Sequence, residues 1–261
     1  MKLRRIWAMN LRHLYVFRHS LDRLTDAFYW PSIDLLLWGL TSTYFQSTTP
    51  LGSNFLVMVV TGILFWIIIW RAQFEITVNS LEELWNKNLI NLFGTPLKFS
   101  EWITSMIMLG IVKGGVSFGF ASLLAYALYQ VEIFFYGWYL LPFALILIMN
   151  GWWTGFLVSG LILRYGSRVQ SFAWTIVMVL APFAAIYYPV SILPGWAQVI
   201  ASAIPITYVF EGAREVLFSG SLDWNKVWIG LGLNVFYLVI ATVFLRSSFR
   251  RVLQKGLVKV Y

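Results

Sequence analysis

The sequence contains no cysteine and only two histidines, His13 and His19. The first absence removes disulfides, thiolate metal sites and cysteine nucleophiles together. The second leaves too few imidazoles for a histidine-rich metal centre. Charge is also scarce: 11% of the 261 residues are charged and 59% are hydrophobic, where a soluble domain carries about 25% and about 45–50%. No HExxH, GxSxG or GxxxxGK[ST] motif occurs, so metalloprotease, esterase and phosphate-loop chemistry have no residues to rest on. Residues 1–25 do not read as a signal peptide, because Arg4, Arg5, Arg12, Arg18 and Arg23 interrupt every apolar stretch. With a mean hydropathy of +0.74, the chain is expected to be an all-α integral membrane protein without catalytic residues or a metal site of its own.

What is present is apolar residues at helical spacing. Leu3, Trp7, Leu11, Leu14, Phe17, Leu21, Leu24 and Phe28 form one stripe at steps of three and four. This predicts a basic amphipathic helix over residues 1–27, lying in the headgroup plane; packing on a soluble partner is the alternative. Six apolar segments follow, each about long enough to cross a hydrocarbon core of about 30 Å. They run roughly over 28–45, 55–70, 103–129, 139–163, 172–188 and 227–245.

Lysine and arginine set the orientation. With a cytoplasmic N-terminus, the inner side holds Lys2, Arg4, Arg5, Arg12, Arg18 and Arg23, then Arg71, Lys87, Lys98, Arg164 and Arg168. The C-terminal tail adds Arg246, Arg250, Arg251, Lys255 and Lys259, and only Arg214 and Lys226 fall outside. Such a bias places both termini in the cytoplasm. The net charge of +8 therefore reads as contact with anionic lipid headgroups, not as a nucleic-acid surface.

Two connections carry information. From Phe74 the residues Val78, Leu81, Trp85, Leu89 and Leu92 continue the second span at helical spacing, with Glu75, Asn79, Glu82, Glu83, Asn86 and Lys87 between them. An amphipathic cytoplasmic helix is predicted, stopping at Gly94-Thr95-Pro96; it either covers the spans or docks a partner. The outer connection between the fifth and sixth spans is apolar and bracketed by Pro189, Pro194 and Pro205. Segments this short do not span, and short re-entrant helices forming a gate or cap over 189–223 are expected. Within the spans Asp34 and Lys113 stand out, since a charge near a helix centre costs about 2.5–3.5 kcal/mol. They are expected either to pair with each other or to snorkel to the interface.

The stretch from Val158 to Gly220 resembles the permease subunit of a type-2 ABC exporter, the class moving drugs, lipids and polysaccharides. The resemblance rests on Gly160-Leu161 with Arg164 and Arg168, on Tyr188-Pro189-Val190-Ser191-Ile192-Leu193-Pro194-Gly195-Trp196, and on Ile204-Pro205-Ile206-Thr207-Tyr208 with Glu211 and Arg214. Leu89 to Leu97, ending Thr95-Pro96-Leu97, is similar to that family's coupling-helix region. The resemblance covers nearly the whole chain as a single transmembrane domain, residues 1–261. It implies that this chain binds no cofactor, and that ATP and Mg²⁺ belong to a separate ATPase subunit. That subunit would dock on residues 73–97 through Glu82, Glu83, Asn86, Leu89, Leu92, Gly94, Thr95 and Pro96. Pro189, Leu193, Pro194, Trp196, Pro205, Tyr208, Glu211 and Arg214 would form the outer gate. The resemblance further implies a homodimer or heterodimer of permeases in a bacterial or archaeal cytoplasmic membrane. First, second and fifth spans would line the pathway, with Trp30, Trp38, Tyr44, Trp66 and Trp70 available to an amphipathic substrate. Around the first-span proline the sequence reads Leu21 to Pro31 without the Leu-Gly…Trp pattern of polysaccharide exporters, which weakens a polysaccharide assignment. The competing readings are an ion-coupled secondary transporter or channel, which usually shows an internal repeat that residues 1–130 and 131–261 lack, and a membrane-embedded assembly factor.

Overall fold

The computed structural model describes residues 2–48 and 54–255, which are helical with short connections. Lys259, counted above with the cytoplasmic tail, lies outside the described residues. The helices are α1 (Leu3–His19), α2 (Leu21–Thr48), α3 (Phe55–Trp85), α4 (Leu89–Gly94), α5 (Phe99–Tyr129), α6 (Leu140–Tyr165), α7 (Phe172–Leu180), α8 (Gly195–Ser202), α9 (Pro205–Ser219) and α10 (Trp224–Lys255). Four stretches are long and apolar enough to cross a membrane: α3, α5, the α6 region and α10. At 28 residues, α2 has the length, but Asp26, Ser32, Asp34, Thr41, Ser42 and Thr43 dilute its apolarity.

The helix α3 is the axis of the molecule. Its most apolar stretch is 67% buried, whereas that of α10 is 22% buried. It packs on α6, α5 and α2, and α6 packs in turn along α10. Close approach of α3 and α6 depends on Gly151. A Cβ there would meet Ala72 Cβ at 2.5 Å, Ile69 O at 2.8 Å and Gln73 N at 2.9 Å, so only glycine lets the two backbones touch. Buried polar groups fix the register. Ser80 and Ser159 hydroxyls lie 3.0 Å apart across α3 and α6, and Asn234 of α10 donates to Ile146 O of α6 at 3.0 Å. Two hydrophobic cores result. One is built around Phe65, Phe143 and Phe210, and the other around Trp102, Leu89, Ile162 and Phe249.

Several boundaries differ from the sequence reading. The amphipathic stripe over 1–27 is two helices, because Ser20 is extended (φ −108°, ψ 111°) and ends α1. Pro31 consequently lies well inside α2 rather than near its start. The helix running on from the second span also breaks: α3 stops at Trp85 and α4 begins at Leu89. The fifth segment is helical only over Phe172–Leu180 and continues to Tyr188 as turns. The sixth runs on as helix into the expected tail, burying Phe249 and Val252 in the second core.

Candidate functional site

The densest concentration of charge lies where α3 leaves the apolar zone. Arg71, Glu75, Glu82 and Glu83 follow one another down this helix, and each meets an opposite charge from another element. Arg71 Nη1 is 2.6 Å from Asp26 Oδ2 of α2. Lys113 Nζ of α5 is 2.7 Å from Glu75 Oε2, and both side chains are about 5% exposed or less. Glu82 pairs with Arg23 of α2, and Glu83 Oε1 lies 2.8 Å from Arg12 Nη1 of α1. Buried charges are tolerated only when paired in this way.

Two expectations are corrected by this ladder. Lys113 pairs with Glu75, not with Asp34, because the two stand at different levels of their helices: Leu35, next to Asp34, is met by Tyr129 at the far end of α5. Lys113 does not snorkel either; it is buried, with Phe17 of α1 stacked 4.8 Å from its Nζ. Arg71, read from the sequence as a loop cation, is buried inside α3. The signal available in the sequence was the Arg71/Glu75 pair at i, i+4, immediately after the apolar run ends at Trp70.

Below the ladder the chain turns. Lys87 takes the left-handed conformation (φ +52°) that ends many helices. Asn88 donates its backbone N–H to Glu83 O at 2.9 Å and its side-chain amide to Glu83 Oε2 at 2.5 Å. Glu83 thus holds both α1 and the turn. The helix α4 then buries Leu89 and Leu92 and leaves Ile90, Asn91, Gly94, Thr95 and Pro96 facing outward, in line with exposed Trp85, Asn86 and Lys87. Of the eight expected docking residues, Asn86, Gly94, Thr95 and Pro96 are exposed, Leu89 and Leu92 are core, and Glu82 and Glu83 are bound internally.

The start of α5 closes the junction. The fully buried Glu101 carboxylate accepts the Lys2 N–H at 2.7 Å and the Lys98 N–H at 3.0 Å, the second being the reach-back arm of a capping box. Arg5 bridges Glu101 and the Pro96 carbonyl. Between α1 and α4 a cleft of about 670 Å³ remains, lined by Arg5, Met9, Arg12, Asn88, Leu92 and Pro96. The face of α1 that seals this junction is Ile6, Met9, Asn10 and His13. Leu3, Trp7 and Leu11 of the apolar stripe point away from the protein. Burial and the cations Arg12, Arg23 and Lys113 lower the His13 imidazole from 6.5 to about 3, so it is neutral.

The outer connection forms as two helices. Pro194 precedes α8 and Pro205 opens α9 at its first turn, where a missing N–H costs nothing. Glu211 Oε1 accepts the Val190 N–H at 2.8 Å and Arg214 Nη2 at 2.9 Å, while Arg214 also donates to Ala185 O at 2.7 Å. This satisfies the strained turn at Ala185 (φ +56°) and ties the end of the fifth segment to α9. Tyr208 donates to Ser202 O at 2.7 Å across the α8–α9 joint, and Leu193 O accepts from Gln198 at 2.8 Å. Trp196 is exposed, with Phe183 at its edge, 6.0 Å between centroids. Pro189 starts the turn at Val190–Ile192. Arg164, from the motif closing the fourth segment, crosses to Ser247 and Ser248 of α10 at 2.6 and 2.7 Å.

Among known proteins, the family model described as ABC-2 type transporter matches residues 16–218. No curated protein matches the chain.

Proposed function

The chain belongs to the ABC-2 type transporter family, and from that premise we propose that it is the permease subunit of an ATP-driven exporter, coupled to a separate ATPase at α4. Membership in this family makes it a membrane transport subunit whose relatives normally pair with an ATPase; export, substrate class and the docking site are our reading. What carries the reading is the junction below α3. A short helix presents an exposed edge from Trp85 to Pro96, and its inner side buries Leu89 and Leu92. Asn88 before it bonds to Glu83 and the Pro96 carbonyl after it accepts from Arg5, while ion pairs join α1 to α3 and α5. Such a clamp passes a push on α4 directly to the transmembrane helices as a rigid-body motion.

In this reading ATP and Mg²⁺ are bound by the partner, two permease copies form the pathway, and the substrate is an amphipathic lipid, drug or glycan-lipid. α2 and the fifth segment complete six spans, α8 and α9 dip into the outer leaflet as a cap, and both termini face the cytoplasm of a bacterial or archaeal cell.

The test is purification of the tagged chain from its native membranes in mild detergent, with mass identification of what remains bound. A stoichiometric subunit with a phosphate loop is expected. Ile90→Asp with Asn91→Trp, both on the exposed edge, should release it while leaving the unfolding temperature unchanged. A pure homo-oligomer, from membranes where such an ATPase is expressed, would overturn the reading.

A further inference from the structure

Asp34 is an acid in the apolar part of α2 for which the described residues supply no partner. It sits on α2, six residues past Phe28, about 9 Å along the helix at 1.5 Å per residue. No hydrogen bond or ion pair among the described residues uses its carboxylate, and no cation offsets it. An unpaired carboxylate at such a place is costly and marks a functional site. A purely structural role would be served by a hydrogen-bonded group, and Asp34 bonds to nothing.

Its surroundings indicate what it meets. One turn further along α2, on the same side, stands Trp38, whose indole stacks on Tyr187 with centroids 5.3 Å apart and planes at 20°. Tyr187 comes from the turns after α7, and the stack brings it to the side of α2 that carries Asp34 and Trp38. Trp38 remains 41% exposed, so the ring face turned away from Tyr187 is open. A carboxylate beside an open indole face and a phenol is a recognition chemistry for large, weakly hydrated cations: the ring quadrupole and the anion both attract the charge, and the rings cover its apolar body. An anionic lipid headgroup or an acidic glycan would be repelled by the same carboxylate.

We propose that Asp34, Trp38 and Tyr187 form a binding site for a lipophilic organic cation, as part of the path the transported molecule takes. The assignment rests on the exporter reading, in which α2 and the fifth segment line the pathway, and it names the substrate class.

The experiment uses the full chain in lipid nanodiscs, with equilibrium dialysis of radiolabelled tetraphenylphosphonium and subtraction of empty nanodiscs. Tetraphenylborate, of the same shape and opposite charge, is the control. The wild-type chain should bind the phosphonium saturably and the borate not at all. Asp34→Asn should weaken binding about tenfold or more, and Asp34→Glu should keep most of it, since the charge is what attracts. Trp38→Leu should weaken it about three- to tenfold, through the lost ring face. Absence of saturable phosphonium binding, or binding that Asp34→Asn leaves unchanged, overturns the proposal. The ATPase is not needed for this measurement. Loss of the site with the ATPase still retained sinks this assignment alone, whereas a missing ATPase sinks the exporter reading alone.

Discussion

The salt bridge between Glu75 and Lys113 is the most deeply buried ion pair among the described residues, in the half of the helix assembly that carries α4. Both side chains are almost fully buried, and Asn79 donates to the same Glu75 oxygen at 3.1 Å. Removing one partner of a buried pair leaves a bare charge and costs about 3–5 kcal/mol, whereas replacing both is often neutral. Lys113→Met should therefore lower the unfolding temperature in detergent strongly, and Lys113→Met with Glu75→Gln should restore most of it. Exchanging the charges of Asp34 and Lys113 should rescue nothing. His13 gives a second prediction at this scale. Its imidazole titrates near 3 when buried and near 6.5 when released. The released state therefore binds more protons between these values, and stability falls as pH drops below about 6.5. Above that pH the residue contributes no slope. Thermal unfolding between pH 7.5 and 5 should show this acid loss, and His13→Gln should flatten it. Neither partnership was legible in the sequence, because each needs elements far apart in the chain to be juxtaposed. Composition shows that Lys113 is expensive, but only the placement of α3 shows that Glu75 answers it.

Among the elements, two of the long apolar runs were legible to within a few residues at both ends. The segments expected at 103–129 and 139–163 are α5 and α6, since twenty apolar residues at 3.6 spacing admit few other solutions. The breaks were not legible. Nothing in the apolar stripe interrupts at Ser20, so two helices read as one, and the stop after α3 is made by Lys87 adopting a left-handed backbone instead of by a glycine or proline. The turns after Leu180 are built from Ala181, Pro182 and Phe183, which look apolar enough to continue a span. Contact between α3 and α6 depends on a residue whose role only packing reveals. Gly151→Ala places a methyl against backbone atoms at 2.8 and 2.9 Å, which cannot move without parting the helices, and overpacking of this kind costs about 1–3 kcal/mol. Gly115→Ala meets nothing within 4 Å and gains up to about 1 kcal/mol of helix propensity. The two substitutions should shift the unfolding temperature in opposite directions, and equal shifts would show that α3 and α6 do not touch at Gly151.

For the molecule as a whole, the question raised by the proposed exporter function is how a force applied at α4 would reach the membrane helices. The junction answers by geometry. Glu83 holds Arg12 of α1 and the Asn88 turn above α4, and Glu101 gathers Lys2, Lys98 and Arg5. The helices α1, α3, α4 and the start of α5 are therefore joined as one block, with α1 tied to the exposed edge of α4 instead of floating beside it. Two-state transport needs such a block, because a soft joint would absorb the displacement that nucleotide binding supplies. The absence of native cysteine makes this measurable with two introduced labels. Leu3→Cys and Asn91→Cys, both exposed, carry spin labels on α1 and α4. Their distance distribution should be narrow, and it should stay unchanged when nucleotide is added to the intact complex. Glu83→Gln removes the charge that Arg12 pairs with while keeping an oxygen to accept from Asn88, and should broaden the distribution without releasing the ATPase. A distribution equally narrow in this variant would mean that α1 is held by the Glu101 cluster and its Ile6–Met9 face, and that the Arg12–Glu83 pair adds no stiffness.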